Sequence, residues 1–178
     1  MKNDYIKLIT VSAIAYASLG IFAPAWYLFL SQKGGTLQFG LVLGITTIAG
    51  GLTSYFIGRI SDNYSKPFIL SLSYFLLALV VFSYTFISSF FVIYIIQFLY
   101  GATSASIILT ENVLVSINTP EEKRGSGMGL FTGMQQVIIG LCMILGGWIA
   151  AFLGVNNVFI IVGSMLLLGS LISTGIKK

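Results

Sequence analysis

The stretch Gly58-Arg59-Ile60-Ser61-Asp62-Asn63-Tyr64-Ser65-Lys66-Pro67, GRISDNYSKP, gathers charges, hydroxyls, an amide and a proline between two long apolar runs. Its surroundings make it informative. The chain has 178 residues, of which 57% are hydrophobic and only 8% charged, and its mean hydropathy is +0.99. A soluble domain of this size needs far more polar surface, so the polar decapeptide reads as a loop between membrane crossings. Outward from it, apolar runs fall at roughly 8–30, 37–57, 68–87, 90–116, 126–153 and 157–176, each near the about 20 residues that cross a hydrocarbon core of about 30 Å. Their length and lack of alternation exclude barrel strands, and only helices satisfy an isolated spanning backbone in lipid. The expected fold class is an all-α integral membrane domain of six transmembrane helices.

The first run also resembles a secretory signal, with Lys2 and Lys7 ahead of an apolar stretch that reaches Ala17-Ser18. Apolarity continues to Leu30, beyond a signal's core, and a retained span is expected. Lys2, Lys7, Arg59, Lys66, Lys123, Arg124, Lys177 and Lys178 fall at the termini and in the second and fourth connections, while Lys33 alone falls opposite. The positive-inside bias therefore predicts cytoplasmic termini, and the plasma membrane is the expected location. It also accounts for the net charge of +4 without nucleic acid.

Cys142 is the single cysteine and there is no histidine. Disulfide frameworks and histidine-ligated metals are excluded. No phosphate loop or nucleophile–base pair is present, so neither enzymatic activity nor a cofactor is expected.

The spans differ in character. The third and sixth are dominated by Leu, Ile, Val and Phe and read as peripheral, lipid-facing helices. The second carries Gly50, Ser54 and Gly58 at four-residue spacing, and the fifth carries Gly125, Gly129 and Gly133, with Gln136 and Gly140 following near that face. Small residues in register let helices approach closely. On the fourth span, Gln97, Gly101, Ser104, Ile108, Glu111 and Val115 share one side of a helix. This polar stripe must face protein or a wet cavity. Glu111 is the one ionisable residue placed inside the membrane, about 13 Å from the Glu121-Glu122 loop at a rise of about 1.5 Å per residue. It is a candidate for taking up and releasing protons; snorkelling, or a structural pair with Arg59 or Arg124, is the competing reading.

In this setting the opening decapeptide resembles the signature between helices two and three of the major facilitator superfamily, G-x-x-x-D-[RK]-x-G-[RK]-[RK]. Gly58, Asp62 and Lys66 match it; Asn63, Ser65 and Pro67 depart. Gln97-Phe98-Leu99-Tyr100-Gly101-Ala102 stands where the family often has R-x-x-Q-G, with Gln97 replacing the arginine. Thr119-Pro120-Glu121-Glu122-Lys123-Arg124-Gly125 is similar to the family's helix 4–5 loop, and Pro24 is also familiar. The fifth span lacks the Gly-Pro pair associated with antiporters and has Cys142-Met143 there.

The resemblance implies one six-helix half of a twelve-span fold, built of two inverted three-helix repeats at about 1–88 and 89–178. It implies a secondary transporter working by alternating access. A parallel homodimer would complete the cavity, with helices one, two, four and five facing the partner. With no Lys or Arg within the spans, small neutral or cationic organic solutes are the expected cargo, bound by Glu111, Gln97, Ser104, Gln136, Tyr16 and Tyr100, with protons as coupling partner. Gly58, Arg59, Asp62, Lys66 and Arg124 are the expected gating loops, Asp62 acting as a latch against the partner's fifth helix. Half of a heterodimer, a piece of a twelve-helix transporter, and a non-transporting membrane subunit are the alternatives.

Overall fold

The computed structural model describes residues 2–87 and 89–176, apart from the side chains of residues 2–5 and 62. Six helices, α1 (Lys2–Lys33), α2 (Thr36–Asn63), α3 (Lys66–Ser83), α4 (Phe90–Asn118), α5 (Arg124–Leu153) and α6 (Val155–Ser173), make up almost all of it. Short 3-10 turns lie at Tyr84–Phe86 and Glu121–Lys123, and no strand occurs among the described residues. All six helices are long and apolar enough to cross a membrane. The protein is an integral membrane protein.

The decapeptide breaks the chain over only two residues. Tyr64 leaves α2 in an extended conformation (φ −112°, ψ 160°), and Ser65 opens α3. Pro67 falls in the first turn of α3, where its missing N–H costs nothing because that donor has no intrahelical acceptor. Lys66 then folds back, its Nζ donating to the Ser61 carbonyl at 3.1 Å. The Asp62 side chain, with Met1, Lys177 and Lys178, lies outside the described residues. At the opposite end Gly154, with φ 82°, joins α5 to α6, a left-handed turn that strongly favours glycine.

Packing follows a regular scheme. Helix α1 packs on α5 and α6, α4 packs on α2 and α3, and α3 packs on α6. Exchanging α1–α3 with α4–α6 maps these pairs onto one another. At the α3–α6 crossing the exchange is visible in atoms: Ser71 Oγ donates to the Ser170 carbonyl and Ser170 Oγ to the Ser71 carbonyl, both at 2.9 Å. Ser73 and Ser106 hydroxyls meet at 2.7 Å between α3 and α4. Between helices in lipid, such bonds and close van der Waals contact supply the attraction that hydrophobic burial supplies in water.

Of the glycines that the spacing suggests, Gly50 lies at a close crossing within the chain, while the tightest contacts are made by others. At the α2–α4 crossing, a Cβ on Gly101 would collide with the Thr46 backbone, and Gly50 faces Gly101 from the other side. At the α1–α5 crossing, a Cβ on Gly146 would lie 2.6 Å from the Ile21 carbonyl oxygen, and one on Gly20 would lie 2.6 Å from that of Ile139. By contrast Gly58, Gly125, Gly129, Gly133 and Gly140 face open space within the chain. Ser54 bonds only to the Gly50 carbonyl of its own helix, at 2.9 Å. Periodicity identifies a shared face correctly; it does not say whether a neighbour in the same chain covers it.

The expectation that α3 is peripheral also needs correction. Its Tyr74, Leu77, Ala78 and Val81 are fully buried between α4 and α6, while Phe68, Leu72, Phe75, Leu76 and Leu79 form its exposed side. The least buried helices are α2 and α5. Each packs mainly on one neighbour, leaving a long apolar face open.

Gly101→Ala and Gly146→Ala are therefore expected to destabilise the bundle by roughly 1–3 kcal/mol each, the usual cost of overpacking. Gly129→Ala and Gly133→Ala should be nearly neutral in the isolated chain. Thermal unfolding in detergent checks the contrast, and equal effects for both pairs would contradict the assigned crossings.

Candidate coupling site

Glu111 lies on α4 about 10 Å from that helix's end at Asn118, at a rise of about 1.5 Å per residue, and is only 1% exposed. Burying a carboxylate costs several kcal/mol unless its oxygens are bonded, and here three other helices supply the bonds. Ser12 Oγ of α1 donates to Oε1 at 2.6 Å. Tyr16 Oη, one turn further along α1, donates to Oε2 at 2.9 Å. From α3, the Tyr74 hydroxyl donates to Oε1. From α5, Gln135 Nε2 reaches Oε2 at 3.5 Å, the longest of the four. Ser12 and Tyr16 are four residues apart, so one helical face presents both hydroxyls to both oxygens.

All four groups are neutral. Neither arginine proposed as a structural partner is near: Arg124 pairs with Glu121 at 3.4 Å, and the Arg59 guanidinium sits over the Tyr55 ring, 4.5 Å from its centroid. Snorkelling is likewise excluded by the depth of burial. Hydroxyls rotate and serve as donor or acceptor, so the same cluster can hold the ionised carboxylate or accept a hydrogen bond from the acid.

The rest of the predicted polar stripe does not join Glu111. Gln97, 1% exposed, is fourteen residues away on α4 and therefore about 20 Å along the axis. Its Oε1 accepts from Thr46 Oγ1 of α2 at 2.8 Å. Ser104 turns back on its own helix, bonding the Tyr100 carbonyl at 2.6 Å. Tyr100 stacks on Phe22 of α1, with ring centroids 5.4 Å apart. Around Phe22 also gather Trp26, Tyr84 and Phe159, forming an aromatic layer at the end of the bundle opposite Glu111. The Trp26 Nε1, Tyr84 Oη and Gln97 Nε2 groups are buried there without hydrogen-bond partners.

Gln136 does not reach Glu111. It is exposed, on the open glycine face of α5, and the amide that reaches Glu111 is its neighbour Gln135. One residue turns the side chain by about 100° on a helix, which moves it from the outward seam to the α1–α4 side. Sequence reasoning also missed Ser12 and Tyr74. Tyr74 is the one tyrosine of α3, amid Leu and Phe, and that was the available signal.

The family model described as Major Facilitator Superfamily matches residues 8–176. The chain belongs to that superfamily. Its members are transporters rather than enzymes, and the relatives are named accordingly. An uncharacterized MFS-type transporter of Methanocaldococcus jannaschii is 25% identical over 97% of this chain and 45% of its own length. The uncharacterized MFS-type transporter YitZ of Bacillus subtilis is 30% identical over 81% of this chain and 88% of its own length. The multi-drug resistance efflux pump PmrA of Streptococcus pneumoniae is 26% identical over 88% of this chain and 40% of its own length. This major facilitator chain thus spans less than half of two relatives and most of the third.

Tyr74→Phe is expected to lower stability by roughly 1.5–3 kcal/mol, the range for a hydrogen bond to a charged group. Gln136→Ala should change it little. A urea or thermal titration of both variants in detergent measures the difference; comparable losses would mean that Tyr74 does not hold a charged Glu111.

Proposed function

We propose that this six-helix body is one wall of a secondary transporter for small neutral or cationic organic solutes, working by alternating access and coupled to protons through Glu111. The observation that carries this reading is a buried carboxylate held by four neutral donors, with no cation among its hydrogen-bond partners. An ionisable group at membrane depth is costly and marks an ion or substrate pathway, and a proton neutralises it with least rearrangement. The name of the efflux pump PmrA supports organic solutes as cargo. The unpaired Trp26, Tyr84 and Gln97 donors support solutes with hydrogen-bond acceptors in the aromatic layer.

The second wall is, in this reading, a second copy in parallel orientation. Open apolar faces on α2 and α5, with Gly129, Gly133 and Gly140 uncovered, favour a partner that packs there. The reciprocal Ser71–Ser170 bonds support inverted repeats at about 1–88 and 89–178 within each copy. Arg59, Lys66, Lys123 and Arg124 sit in connections at one end, and the Lys7 ammonium bonds the Gly175 carbonyl at that same end, 2.7 Å away. The positive-inside bias then supports cytoplasmic termini in the plasma membrane. A second reading, half of a twelve-helix or heterodimeric transporter, draws on the 45% and 40% coverage of two relatives.

In liposomes with an imposed pH gradient, Glu111→Gln should reduce gradient-driven ethidium movement to background while leaving downhill exchange intact. Retained gradient coupling in that variant would sink the proton role. Cysteine placed at Gly133 in a Cys142→Ser background should give a symmetric crosslinked dimer in native membranes. A monomeric mass there, with no crosslink, favours the second reading.

A further inference from the structure

Glu111 is sealed by α1, α3 and α5, so its proton needs a route. The titratable groups facing it are Tyr16 from α1 and Tyr74 from α3; α5 presents only the Gln135 amide. Two of its four partners, Ser12 and Gln135, also line a crevice between α1 and α5, whose other walls include Phe131, Met134 and Ile138. The crevice has a volume of about 20 Å³. A water molecule needs roughly 10–15 Å³ of such space and two or more polar partners, so one water fits between Ser12 and Gln135 and two do not.

The crevice shares two of its walls with the outer surface. Met134 and Ile138 also line an open groove on the outer face of α5, with Gly133 and Val137, of about 310 Å³. Met134 and Ile138 therefore stand between groove and crevice, and Gln135 stands between the crevice and the carboxylate. It is 8% exposed, and its 3.5 Å contact to Oε2 is the longest that Glu111 makes. The three hydroxyls are held more closely; the amide is the partner that yields first.

We propose that the α1–α5 crevice is the port through which a single water exchanges the Glu111 proton, and that Gln135 is its gate, a positioning residue holding the port shut. The inference rests on the proton-coupling reading of Glu111. In the uptake step Gln135 swings off Oε2 and a protonated water takes its place. The water's O–H bond breaks, its electron pair stays on the water oxygen, and the proton forms the new O–H bond on Oε2. The Tyr16 hydroxyl then rotates to accept from the new O–H on Oε2, while Ser12 goes on donating to Oε1. Release runs the same path in reverse. Since the groove lies on the uncovered glycine side of α5, whatever packs on that face also controls the port.

The test is deuterium labelling of the Glu111 carboxyl, read as the shift of its C=O infrared stretch when the full chain in liposomes is moved into D2O, and assigned by its absence in Glu111→Gln. Gln135→Ala should label about tenfold faster than the unmodified protein, the population change expected when one hydrogen bond to a charged group is lost. Adding Ile138→Trp to plug the port should restore the slow rate. If Gln135→Ala does not fold, Gln135→Asn, one methylene shorter, should shift labelling the same way. Equal labelling in all variants, or no effect of the plug, overturns the port. Faster labelling with unchanged gradient-driven flux keeps the port and removes the coupling reading. Unchanged labelling beside a Glu111→Gln variant that has lost coupling removes the port alone.

Discussion

A single carboxylate in the low-dielectric interior, with no cation among its partners, is the constraint around which the bundle is arranged. Glu111 can be buried only because α1, α3 and α5 each turn a polar side chain toward α4. Those helices are far apart in sequence. Satisfying one carboxylate therefore ties the α1–α5 pair to the α3–α4 pair, and any relative movement of the two pairs must stretch a bond to Glu111. In the proposed reading, a change of its protonation state is thereby linked to a change of helix packing.

The rest of the bundle divides between tight crossings and open faces. Gly101 against Thr46 and Gly146 against Ile21 bring backbones into direct contact and leave little freedom at those crossings. The outer sides of α2 and α5 have no such contact. In the proposed reading, rigid crossings with uncovered glycine flanks suit a body that moves as a unit against a partner. The aromatic layer around Phe22 closes the end of the bundle remote from Glu111, so the aromatic layer and the carboxylate occupy opposite halves of α1 and α4.

Much of the fold was legible in the chain. Runs of about 20 apolar residues separated by polar turns place all six helices to within a few residues, because lipid allows a spanning segment no other way to satisfy its backbone. The site was legible only in part. Glu111 stands out as a charge inside a span, and Tyr16 as an aromatic that would reach a cavity. Gln97 and Ser104 share its helical face but meet different neighbours, Thr46 and the Tyr100 carbonyl. The step from Gln136 to Gln135 could not be read from spacing, since both are amides in the same turn and only the position of α1 and α4 distinguishes them.

By itself, then, the sequence determined the solvent, the number of crossings and the superfamily, each through local and additive properties: hydropathy, run length and short polar connections such as Gly58 to Pro67. The tertiary structure alone decided which glycines are contacts and which are open, and which hydroxyls and amide hold Glu111. Those outcomes depend on where one helix lies against another across ninety-nine residues of chain in the Ser12–Glu111 bond and more between Ile21 and Gly146, and no local pattern encodes that distance.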